Sequence, residues 1–184
     1  MSKDAKRREH PGPIDTRIKK LAKGLSARDA ADAFVRANED PGNVTTDERN
    51  KAGEFEATVE AMFLMAAVDG DVSEQELAQL AASVDAFSAL DGAGRPIDAA
   101  PLLASMNAKL GTDGWNRRLA AVADRLHDRE SRAFAFRLAA GVAFVDDHVA
   151  HAEAAALEAL ASALQISSEE SQEILYDVRD SLFA

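Results

Sequence analysis

The chain predicts an all-α domain, on three observations. Nearly half of its residues are apolar, yet aromatics make up only 5% and alanine is abundant, a balance that suits closely packed helices and not sheets. Apolar residues recur at three- and four-residue spacing along most of the chain. One helix-turn-helix pattern occurs twice. At 184 residues the chain is long enough for one sizeable core. The expectation is therefore a single-domain bundle of about eight or nine helices with two helix-turn-helix repeats.

Residues 1–14 are polar and end near His10-Pro11-Gly12-Pro13, which predicts a disordered basic arm ahead of a helical domain over 15–184. From Asp15, the residues Ile18, Leu21, Ala22 and Leu25 keep helical spacing up to a break at Gly24. Ser26 with Asp29 then caps a helix carrying Ala30, Ala33 and Phe34, which stops before the turn-rich Asn38 to Asn43. Thr45 and Glu48 form a capping box for a long helix in which Phe55, Val59, Met62, Phe63 and Ala66 share one face. Repeat one spans 55–90: this helix, an acidic turn, and a helix lined by Leu77, Leu80, Ala81, Val84 and Phe87. Asp91 to Pro96 is a loop.

Two shorter helices follow, with Leu102, Leu103 and Met106 in one and Trp115, Leu119, Val122 and Leu126 in the other, divided at Gly111. Arg117, Arg118, Arg125, Arg129, Arg132 and Arg137 gather here. They either form a solvated or ion-paired face, reaching the acidic turns, or make a docking patch. Repeat two spans 132–165, from Phe134 and Leu138 through the second turn to Leu157, Leu160 and Leu164. Ser167 with Glu170 caps a last helix whose buried side is Ile174, Leu175, Val178 and Leu182.

The two turns align without a gap. Ala66 to Leu80 and Ala143 to Leu157 pair Val68 with Val145, Asp69 with Asp146, Val72 with Val149, Glu76 with Glu153 and Leu80 with Leu157, at a constant displacement of 77. Asp69, Asp71, Ser73 and Glu76 bring several oxygens into one turn, which suits a hard cation such as calcium, magnesium or manganese. The loop is not an EF-hand, since the sixth and twelfth places from Asp69 hold Glu74 and Leu80. Should the turns meet, Asp69, Glu76, Asp146 and Glu153 would make one carboxylate cluster whose repulsion a cation relieves. The second turn adds His148 and His151, a set that suits zinc or nickel, although zinc ranks behind the hard cations. The same residues also have a purely structural reading: Gly70 supplies a positive φ, and Ser73 with Glu76 is a complete capping box.

The Ala-x-x-Asp-Gly ending of the first helix, the apolar residue two positions on, the Glu four beyond that, and the closing Leu160 to Leu175 stretch together resemble the TerB-like family of tellurite-resistance and stress proteins. The likeness covers roughly Phe55 to the C-terminus. The second copy departs from the pattern, with Asp147 in place of the glycine and His148 in place of Asp71. The resemblance implies a stress module that binds a divalent cation at Asp69, Asp71, Glu76, Asp146, His148 and Glu153 and acts through protein partners. A metal-independent interaction scaffold and a hydrolase using the acidic turns are the alternatives.

Charge narrows the setting. The net charge is −11, but Met1 to Ala30 carries nine Lys or Arg against four acids, leaving 12 cationic and 28 acidic side chains beyond it, a net −16. An acidic body argues against nucleic acid, whose affinity comes from cations meeting phosphates. The basic arm suits an anionic membrane surface or an acidic partner. The chain has no cysteine, so a reducing compartment and no thiol chemistry are expected. No apolar run follows Lys3 to Arg8, so a cytoplasmic location is expected. The chain has no glycine-rich phosphate loop, His-Glu-x-x-His pair or Gly-x-Ser-x-Gly elbow, and no enzyme activity is expected.

Overall fold

The computed structural model describes residues 21, 27–70, 72–88, 99–145, 148–149 and 151–183. The basic arm, the Ser26 cap, the Asp91 to Pro96 loop, Asp71 and Asp146 lie outside the described residues, as does the side chain of His148. Eight α-helices are described: α1 (Ala27–Glu39), α2 (Thr46–Ala66), α3 (Glu74–Ser88), α4 (Ala99–Asp113), α5 (Trp115–Arg125), α6 (Arg129–Ala143), α7 (His151–Ala163) and α8 (Ser168–Phe183). A 3-10 turn, Pro41–Asn43, joins α1 to α2. Two short segments, β1 (Phe144–Val145) and β2 (His148–Val149), pair antiparallel between α6 and α7, and the protein is all-α.

The fold is built around α2. Every residue from Ala57 to Met65 is buried, and the helix packs against α1, α3, α4, α5, α6 and α7. A helix apolar on all sides belongs in the middle of a core. The expectation of a single buried face over Phe55, Val59, Met62, Phe63 and Ala66 is thus corrected: burial wraps the helix, while Ala66 is only half-buried. Phe34 of α1 meets Phe55 at 5.0 Å between ring centroids. Phe63 on α2 and Phe136 and Leu138 on α6 are fully buried, each worth about 1.5–3 kcal/mol of transfer free energy.

The helix ends follow local chemistry. Thr45 accepts from the Glu48 amide at 3.1 Å, and Ser167 from the Glu170 amide at 3.1 Å, as the spacing predicts. Asp128, which the sequence reading passed over, caps α6 by accepting from the Ser131 amide at 2.8 Å. The division between α4 and α5 falls at Gly114, whose φ is +82°, and not at Gly111, which is inside α4. A positive φ is readily met by glycine alone, so the sharp turn sits where that residue allows it.

Candidate functional site

The duplication extends to the helix boundaries. Helix α2 ends at Ala66 and α3 begins at Glu74; α6 ends at Ala143 and α7 begins at His151, each pair displaced by the same 77 residues found in the sequence. What lies between differs. In the first turn the Gly70 amide donates to Ala67 O at 3.1 Å, and Gly70 has φ +110°. The second turn is instead bracketed by the Phe144–Val149 and Val145–His148 pairing, and the Phe144 ring lies tilted against Phe183 of α8, 6.3 Å between centroids.

The candidate ligands do not share one fate. Asp69 is exposed. Glu76 accepts from the Ser73 amide at 3.0 Å, and the Glu76 amide donates to Ser73 Oγ at 3.1 Å, a closed reciprocal cap. At the second turn the place of Ser73 is taken by Ala150, so no hydroxyl is present to complete the same box. Glu153 there is half-buried, and its Oε2 is shut off from solvent with no hydrogen-bond partner. Among the described residues, no three His, Asp or Glu side chains gather as a metal-binding group; Asp71 and Asp146 of the candidate ligand set lie outside those residues.

Between the first turn, the α4–α5 junction and α7 runs an open groove of about 740 Å3. Val68 and Gly70 form one side, Leu110, Gly111 and Trp115 another, and Ala152, Ala155, Ala156 and Ala159 a third. These alanines recur at the spacing of one helix face, and Ala152 and Ala155 are exposed. Among the described residues no charged side chain lines the groove. The first turn and the helix leaving the second turn therefore share a groove lined mainly by small and apolar residues.

The wall carrying Trp115 is held by a polar seam. The Trp115 indole N–H donates to Leu64 O at 3.0 Å. Three residues on, Arg118 grips the carboxylate of Glu60 through Nε at 3.0 Å and Nη2 at 2.6 Å, and Arg125 donates to the same carboxylate at 2.5 Å. Glu60 is 1% exposed. Asp113, 3.2 Å from Arg118, and Glu56, 3.8 Å from Arg125, supply further negative charge. The hydrogen bonds to Glu60 raise the Arg118 pKa, while burial opposes them. Of the arginine series, Arg118 and Arg125 therefore meet α2, and Arg129 meets Glu170 of α8. Sequence reasoning missed Glu60, because a Glu inside an apolar helix carries no label of its partner. The arginine spacing on α5 was the available signal.

Compared with known proteins, the chain matches no family model, no curated protein and no solved structure. Among the described residues, no helix is long and apolar enough to cross a membrane.

Proposed function

We propose that this chain is an interaction module that acts by contact, receiving a helical segment of a partner protein in the groove between the first turn, the α4–α5 junction and α7. The observation that carries this reading is the groove's lining: small residues on α7 facing Val68, Leu110 and Trp115. Small walls leave room for large side chains from outside, the usual way an amphipathic helix lies in a groove. Two or three aliphatic side chains seated there would each contribute about 1.5–3 kcal/mol before association costs. A cytoplasmic setting, with the basic arm touching an anionic membrane surface, fits the charge distribution.

The test uses a photoreactive residue in place of Ala152, with a second at exposed Ser168 as control. A partner captured from Ala152 alone, and lost when Ala155→Glu places a charge on the lining, supports the reading. Capture unaffected by Ala155→Glu, with circular dichroism showing the variant folded, overturns it.

A second reading, the divalent-cation stress module implied by the TerB-like resemblance, is favoured by the partnerless Oε2 of Glu153. An acceptor without a donor is costly in a folded chain unless something supplies positive charge. Titration calorimetry with calcium, manganese and zinc should then show binding that Glu153→Gln removes. Heats identical in the wild type and Glu153→Gln would end that reading.

A further inference from the structure

We infer that α8 is exchanged between two copies of this chain, the corner at Gln165 straightening so that α8 of each copy seats on α6 of the other. The partner is a second copy, and the surface it fits is the one α8 already covers.

The corner between α7 and α8 has no residue built for it. From His151 to Phe183 there is neither glycine nor proline, so the sequence contains no breaker that obliges α7 and α8 to be separate helices. The break falls on Gln165, whose φ is +57°, the one non-glycine with a positive φ among the described residues. Its amide donates to Ser162 O at 3.1 Å and the Ile166 amide to Ala161 O at 2.9 Å, a helix-ending arrangement whose left-handed position is most often glycine. With glutamine there the backbone is strained. Rotation into right-handed helical backbone relieves that strain and runs α7 straight into α8. Short hinges under strain favour exchange between copies.

Helix α8 is also lightly anchored. Of its sixteen residues only Val178 is buried, while Ile174, Leu175, Leu182 and Phe183 are half-buried. It lies mainly on α6. Its polar ties are the Arg129–Glu170 pair at 3.2 Å, with Arg129 largely exposed, and a long 3.4 Å hydrogen bond from Arg132 Nη1 to Gln165 Oε1 at the corner. Such exposed pairs hold weakly. An α8 from a second copy makes the same contacts with α6, so the exchanged dimer keeps this interface and loses the strain. Buried Leu164 and Ile166 hold the corner shut, and the net charge of −11 opposes pairing at low salt. Exchange is therefore driven by concentration and by salt.

The chain has no cysteine, so Arg129→Cys and Glu170→Cys place single thiols on α6 and α8 where the two side chains meet. The two variants are unfolded in urea, mixed, refolded at high concentration and treated with a flexible bismaleimide. Unlike chains should cross-link in preference to like chains. Light scattering of the unsubstituted protein, refolded the same way, should show a dimer whose fraction grows with added salt. Gln165→Gly accepts the left-handed backbone without strain and should lower the dimerisation constant at least about tenfold.

Protein that stays monomeric at every concentration and salt overturns the inference. A dimer in which like chains cross-link as often as unlike ones uses some other surface and overturns it too. A dimer unchanged by Gln165→Gly, with circular dichroism showing that variant folded, removes the hinge and the inference with it. The groove lining on α7, Ala152 to Ala159, lies before the corner, so none of these outcomes decides the groove reading.

Discussion

Glu60, in the seam between α2 and α5, and Glu153, at the second turn, both have carboxylate oxygens closed off from water, yet the fold treats them oppositely. Three N–H groups of Arg118 and Arg125 converge on Glu60. Glu153 Oε2 receives none. The first carboxylate fixes the register of α5 on α2 and so places Trp115 in the groove wall. The second is an acceptor with nothing local to occupy it. Its counterpart 77 residues earlier, Glu76, shows what the same position does when a serine stands three residues before it: it turns back and caps its own helix. Ser73 against Ala150 is one difference between a turn whose outgoing helix closes its own cap and one whose Glu153 Oε2 receives no donor.

The largest expected effect falls on the saturated side. Glu60→Ala strands two arginines against the core, and losing one partner of a buried ionic group typically costs about 3–5 kcal/mol. Urea unfolding should show this as a large drop in midpoint. Glu153→Gln should be neutral, or stabilising by about 1 kcal/mol, since it replaces an unengaged charge with a neutral group. Similar losses for both substitutions would erase the contrast between the two carboxylates.

Next in size is Gly70→Ala. An added Cβ there meets nothing within 4 Å, so its cost comes from the backbone, which sits at φ +110°, a strain of about 1–3 kcal/mol. The equivalent place in the second turn holds Asp147. Ser73→Ala should then cost about 1 kcal/mol by opening the capping box, and Ala150→Ser should stabilise by a similar or smaller amount by giving Glu153 a hydroxyl to pair with. Thermal unfolding of the two variants should move in opposite directions; shifts of the same sign would show that the turns do not differ in this respect.

These contrasts mark what could be read from the sequence. The repeat, its displacement and the Ser-x-x-Glu caps were legible because each depends on residues a few positions apart. The break at Gly114 was misplaced to Gly111 because two glycines stand three apart and only the backbone chooses between them. The all-round burial of α2 was not legible, since Glu60 and Thr58 interrupt its apolar run and their partners lie in distant segments or in the helix's own backbone. The groove was not legible either. Alanines at 152, 155, 156 and 159 read as ordinary helix formers until α4, α5 and the first turn are set around them.

The smallest effect tests whether saturation holds for a carboxylate pair as well as for one paired with arginine. Glu54 on α2 and Asp128 at the start of α6 lie near enough for each carboxyl group to shift the other's titration. Burial, then the charge of Asp128 and the hydrogen bond to it, raise the pKa of Glu54 above its ordinary 4.5, against opposing pulls from His127 and Lys51. The Ser131 amide lowers the pKa of Asp128 below 3.8, with burial opposing. A raised folded-state value means that Glu54 contributes stability below pH 4.5 that fades as pH rises through its folded value. The depressed Asp128 contributes above pH 3.8 and fades as pH falls through its own. The pair is therefore most favourable in mildly acidic solution. Glu54→Gln keeps a donor facing Asp128 at every pH, so its melting temperature should exceed that of the wild type increasingly as pH rises from about 4 to 7. A difference that does not change with pH would mean that the interaction between the Glu54 and Asp128 carboxyl groups does not contribute to the docking of α6 on α2.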